Sequence, residues 1–178
     1  MTVTRPISQI LVPIDFSESS EAALHYAVAL AESFGASIEV FHAYEMPPMA
    51  GGELVLRLVG VGLPMASWIQ ERTLRDTEKF VATLDTQVPI STLIVEGRPV
   101  SSIRQRAESL RADLVVIAAR GRSKVARVLL GSLAERVVRT APCPVLTVRS
   151  GRWPVVHGRQ PATFGSQTPD AFGPRRQL

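Results

Sequence analysis

The stretch VVIAARGRSKVARVLLGSLAERVVRTAPCPVLTVR, residues 115–149, holds a complete strand–loop–helix–strand unit. With Leu114 its opening reads LVVIA, a continuous apolar run of the kind that fills a strand buried on both faces. A basic segment with one glycine follows. Gly131 and Ser132 then stand before SLAERVVRT, residues 132–140, which has a helical pattern. PVLTVR, beginning at Pro144 and ending at Arg149, returns as a strand.

The same alternation runs upstream. ISQILVPI (7–14) is a buried strand, and Ser17 offers an N-cap to a helix that Gly35 stops, with Leu24, Ala27, Val28 and Ala31 on one face. SIEVFHA (37–43) is a second strand. Residues 66–84 form a second helix with Leu74, Thr77, Val81 and Leu84 on one side. Residues 91–95 form a third strand. Gly97 and Pro99 then open a helix that turns Val100, Ile103, Ala107 and Leu110 inward. Strands and helices in strict alternation predict an α/β domain, doubly wound, with helices on both faces of a five-stranded parallel sheet. Strand order does not follow from the pattern.

That domain is expected over residues 1–149. Residues 150–178 are rich in Pro, Gly, Arg and Gln without periodicity and are expected to be a flexible tail. Residues 44–65 make a long connection rich in Pro, Gly and Met. Its apolar run suits a lid, a surface for protein partners, or local packing alike.

A formal charge of +4 invites a nucleic-acid reading, but +3 of it falls on residues 151–178, leaving +1 for the folded part. No basic nucleic-acid face is expected. The longest apolar run, LVLRLVGVGLPM, is too short for a bilayer and carries Arg57, so no membrane partner is expected. One cysteine, Cys143, excludes an internal disulfide and, with no signal-peptide pattern at the start, fits a cytoplasmic location.

In open α/β sheets ligands bind beyond the carboxyl ends of the strands, where the winding reverses. Asp15, Ala43, Gly97 and the AARG turn, residues 118–121, all fall at such ends. The Asp15 carboxylate can accept from ribose hydroxyls or an adenine amine. Gly121 and Gly131 let backbone N–H groups approach an anion, and Gly131-Ser132 precedes a helix, where free N–H groups favour phosphate. Arg120, Arg122, Lys124 and Arg127 add positive charge. Plainer readings stand beside these. Ser132-x-x-Glu135 is a capping box, Asp15 suits a turn before Ser17, and His42 suits packing or a structural hydrogen bond. No catalytic or metal-ligand cluster has a defensible spacing.

ILVPIDFSESSEAALHYA (10–27) and GRSKVARVLLGSLAERVVRTAPCPVLTVR (121–149) together resemble a universal stress protein domain, and the resemblance covers residues 5–149. It implies a parallel sheet in the order 3-2-1-4-5. It also implies ATP binding, with ADP or AMP as alternatives and magnesium able to accompany the nucleotide. The ATP-binding members carry G-x2-G-x9-G-[ST] after the fourth strand. Gly121, the nine-residue spacing and Gly131-Ser132 match, with Leu133 following, whereas Ala118 replaces the first glycine. Pro13, Ile14 and Asp15 match the acidic turn after strand one, and Ala43 takes the place near the adenine.

Ala118 has three possible consequences. If the position needs a positive φ, alanine strains it by about 1–2 kcal/mol, roughly a five- to thirty-fold loss of affinity. If ribose or phosphate must pack on the backbone there, the Cβ excludes it. If φ is ordinary, alanine is harmless. The resemblance further implies a homodimer through the fifth strand, residues 144–149, and a stress-response regulatory role rather than an enzyme's, with slow ATP hydrolysis as a side activity. It equally covers members without the glycine motif, which act through partners and not nucleotide.

Overall fold

The computed structural model describes residues 6–45, 55–58, 61–120 and 130–149. Strand β1 (Gln9–Pro13) leads to helix α1 (Glu18–Phe34). Ser17 caps α1 by accepting the amide of Ser20, one of the donors a helix start leaves open. Gly35 ends it at φ 66°, a left-handed backbone that suits glycine. Strand β2 (Ser37–Tyr44) follows.

The connection after β2 is not without regular structure, as the sequence suggested. Strands β3 (Val55–Leu58) and β4 (Val61–Pro64) pair antiparallel as a small separate hairpin. The two residues between them, Val59-Gly60, carry none of the Asn-Gly or Asp-Gly signature that announces such a turn.

Helix α2 (Met65–Ala82) comes next, then β5 (Ile90–Glu96), α3 (Pro99–Ser109), β6 (Leu114–Ala118), α4 (Ser132–Thr140) and β7 (Val145–Val148). The expected boundaries hold to within about two residues. The tail, residues 150–178, lies outside the described residues.

The large sheet runs β5-β2-β1-β6-β7 and is parallel at every pairing. Counted without the hairpin, this is the order 3-2-1-4-5. Strand alternation sends side chains to two cores. Ile10, Val12, Ile38, Val40, Leu114 and Val116 meet α1, Phe80 and Val81 of α2, and Leu84 just beyond its end. Leu11, Phe41, Val115 and Ile117 meet Ile103 and Ala107 of α3 and Ala134 and Val137 of α4. Leu74, expected inward, is 42% exposed, because the inward stripe of α2 runs through Ile69, Thr73, Thr77 and Phe80 and leaves Leu74 to one side.

One polar feature interrupts the second face. Glu39, in mid-β2 and 4% exposed, receives both Nε and Nη2 of Arg106 from α3, at 2.6 and 2.5 Å. The fork satisfies both carboxylate oxygens and ties α3 to the sheet. The hydrogen bond to Glu39 raises the Arg106 pKa further, against the opposing effect of burial.

Candidate functional site

The sheet reverses between β1 and β6, and there it also opens. The β1–β6 register covers Ile10↔Leu114 and Leu11↔Val115. Beyond it β1 stays with β2, through Pro13↔Phe41 and the Ile14 amide on the Phe41 carbonyl at 2.8 Å, and β6 stays with β7 up to Ala118↔Val148. In a parallel ladder alternate residues bond to alternate neighbours. Since Ile14 donates to β2, position 13 faces β6, and proline has no N–H to give. Pro13 thus removes the next bond of the β1–β6 ladder, where a switch-point crevice should begin.

Asp15 stands at the lip on the β1 side, half-buried. Its Oδ1 accepts the amide of Ser17 at 3.1 Å and the Ser17 hydroxyl at 2.5 Å. The turn reading is therefore correct for this oxygen, and the hydrogen bonds fix the carboxylate's direction. Phe16 follows at φ 60°, left-handed backbone for a non-glycine residue, at a cost of about 1–2 kcal/mol. Its ring lies 4.7 Å from that of His42 and 5.9 Å, edge-on, from that of Phe80. His42 Nδ1 sits 2.8 Å from the Ile14 carbonyl. A carbonyl only accepts, so geometry assigns the proton to Nδ1. The structural reading of His42 holds. The role of Phe16 was not legible in the sequence, since phenylalanine does not announce a left-handed turn.

On the β6 side the Ala119 amide donates to the Val148 carbonyl at 2.6 Å, and the Gly131 amide donates to the Ala119 carbonyl at 2.8 Å. These bonds bring the start of α4 back to the end of β6. Gly131, at φ −62° and ψ 148°, is the N-cap, and among the described residues no side chain caps the helix. The expected capping box does not form. Ser132 is the first helical residue and exposed, and Glu135 pairs with Arg139 at 2.7 Å, one turn along its own helix. The cause is the N-cap position, one residue earlier than the box requires.

Ala118 ends β6 as an ordinary strand residue, 8% exposed, in the core cluster that packs on α1. Among the described non-glycine residues only Phe16 and Arg111 have positive φ. The strain outcome for Ala118 is therefore excluded. Ala43, Leu130 and Leu133 each pack against the α3–α4 core, while Ile14 and Ala118 belong to the opposite one. Gly121, Arg122, Lys124 and Arg127 lie outside the described residues.

At the neighbouring mouth Gly97 has φ 154° and donates to the Tyr44 carbonyl at 2.8 Å. A Cβ there would meet Ser102 Oγ at 2.8 Å, so both conformation and space call for glycine. Burial, then Glu96, pushes the Tyr44 phenol pKa up. Two cavities, of about 360 and 290 Å³, lie along α2: one lined by Phe16, Asp76, Lys79 and Phe80, the other by Arg72, Arg75, Asp76 and Lys79. Among the described residues no three His, Cys, Asp or Glu side chains gather as a metal site, and no helix is long and apolar enough to cross a membrane.

A parallel sheet that reverses and parts at Pro13, an oriented aspartate on one lip and an uncapped helix start on the other define a doubly wound α/β protein with a switch-point crevice. The model of the universal stress protein family matches residues 6–149, and the chain belongs to that family. A universal stress protein of Thermus aquaticus is 38% identical over 143 residues, 79% of this chain and 97% of its own. The solved structure of universal stress protein UspA from Lactobacillus plantarum is 26% identical, with a TM-score of 0.62 over 82% of this chain and all of that one. A universal stress protein solved in complex with cAMP is 25% identical, with a TM-score of 0.56 over 83% of this chain and all of that one.

Proposed function

We propose that this protein binds an adenine nucleotide in the crevice between the ends of β1 and β6 and works as a homodimeric regulatory protein of the stress response. The observation that carries this reading is the uncapped start of α4, tied by Gly131 to the end of β6 across from the Asp15 turn. Open N–H groups and the helix dipole there suit a phosphate. The relative solved with cAMP supports the ligand class.

In this reading Asp15 receives ribose hydroxyls or the adenine amine, with Pro13 and Ile14 forming the lip beside it. Ala43 lies near the base. Backbone N–H groups at Gly121, Gly131, Ser132 and Leu133 take the phosphates of ATP, or of ADP or AMP, with magnesium accompanying them. Ala118 supplies backbone only. The residues are assigned to binding, with slow ATP hydrolysis a side activity at most. The edge strand β7 is the dimer contact, residues 44–65 are a surface for protein partners, and the location is cytoplasmic.

A second reading rests on Asp15 Oδ1, which Ser17 already satisfies. On it, the chain regulates through partners alone. Titration calorimetry with ATP separates the two. Saturable binding of one nucleotide per chain, weakened at least about tenfold by Asp15→Asn, supports the first. Asparagine keeps an acceptor for Ser17. No binding at millimolar ATP, or an unchanged affinity in the variant, overturns it.

A further inference from the structure

We propose that Phe16 is a positioning residue and that α2, through Phe80, sets the pose of the Asp15 turn. The proposal rests on the nucleotide reading for its consequence and on geometry for its substance. Phe16 occupies a left-handed backbone that a phenylalanine does not adopt unaided. Such a conformation persists where its surroundings over-determine it, and two ring contacts do so here. The Phe16 ring is tilted against His42 at 4.7 Å and stands edge-on to Phe80 at 5.9 Å.

The same His42 binds the Ile14 carbonyl at 2.8 Å, immediately before Asp15. The aspartate is therefore held on both sides, from Ile14 through β2 and from Phe16 through β2 and α2. Downstream, Ser17 binds Asp15 Oδ1 while capping α1. Moving the Phe16 ring rotates the peptide between Asp15 and Ser17, and with it the carboxylate. Phe80 is the link to the rest of the chain, because α2 directly follows the β3–β4 hairpin. A contact made on that hairpin or on α2 thereby has a route to the crevice that touches no ligand.

The test uses the full chain and two independent readouts. One is the amide chemical shift and hydrogen exchange of Asp15, Phe16 and Ser17 in the ligand-free protein. The other is ATP affinity. Phe80→Leu is expected to displace these amides and to weaken ATP binding about tenfold, and Phe80→Tyr, which keeps the edge contact, is expected to restore both. Phe16→Gly, which relaxes the backbone and removes the ring, is expected to weaken binding likewise. The double variant Phe16→Gly with Phe80→Leu should be no weaker than Phe16→Gly alone, as for residues acting through one contact.

Unmoved amides in Phe80→Leu overturn the proposal, and so does full ATP affinity with the amides displaced. Should the wild-type chain bind no ATP, it is the nucleotide reading that fails, and the amides still decide whether α2 positions the turn.

Discussion

The amide of Gly131 donates to the carbonyl of Ala119 at 2.8 Å, so the start of α4 is fastened to the end of β6 while, among the described residues, no side chain caps its first turn. Stability and ligand binding pull in opposite directions there. Gly131→Asp should supply a side-chain cap, worth a few tenths of a kcal/mol over glycine, and raise the unfolding temperature by about one degree. The same carboxylate occupies the N–H groups and repels phosphate, so ATP affinity should collapse. Thermal unfolding and calorimetry on one preparation check both halves.

Ala118→Gly should be close to silent for the ligand. The residue lies in regular strand with its methyl in the α1-side core. Removing that methyl loosens the strand by about 0.5–1 kcal/mol and should change ATP affinity less than threefold. A tenfold gain would show that the methyl obstructs the bound nucleotide.

Pro13→Val should restore the N–H that faces β6 and extend the ladder to Val12↔Val116. Slower hydrogen exchange at the new amide of position 13, which would donate to the Val116 carbonyl, with weaker nucleotide binding, is the expected pair of results. Fast exchange at position 13 would mean that the strands part for another reason.

Glu39→Ala should leave the Arg106 guanidinium without its partner. Breaking a buried pair costs about 3–5 kcal/mol, and the 31% exposure of the Arg106 side chain places this one near or below the lower end. Replacing both groups, with Glu39→Leu and Arg106→Met, should recover most of the loss. Urea unfolding of the three variants provides the comparison.

Cys143 should resist alkylation near pH 8. Burial first, and Asp113 second, push its thiol pKa above the ordinary value. Ionisation therefore favours the unfolded chain. This group's contribution is intact below the ordinary thiol pKa and declines as pH rises through the raised folded value. Iodoacetamide rates across pH 7–10, native against urea-unfolded, should show the native curve displaced upward.

The doubly wound frame was legible because continuous apolar strands, a capping serine at 17 and a stop at Gly35 all state the same periods. The reversal between β1 and β6 was not, since pairing partners leave no local trace, and it came from the family resemblance. The positions of Asp15 just past a strand and of Gly131 at a helix start were legible from the same patterns. Two things escaped. The β3–β4 pairing has no Asn-Gly or Asp-Gly between its strands to announce it, and Phe16 takes its left-handed backbone because His42 and Phe80, 26 and 64 positions away in sequence, hold its ring. The plainer reading of Ser132 as a cap fails for a related reason: a capping box names its residues, but the N-cap is decided by where Gly131 is tied.

A crystal structure of the full chain grown with ATP tests the central claim most directly. The account predicts phosphate density on the amides that open α4 and ribose or adenine against Asp15, with Ala118 unmoved. A crevice between Asp15 and Gly131 that stays without nucleotide at saturating ATP, or that is filled by the protein's own side chain, would contradict it.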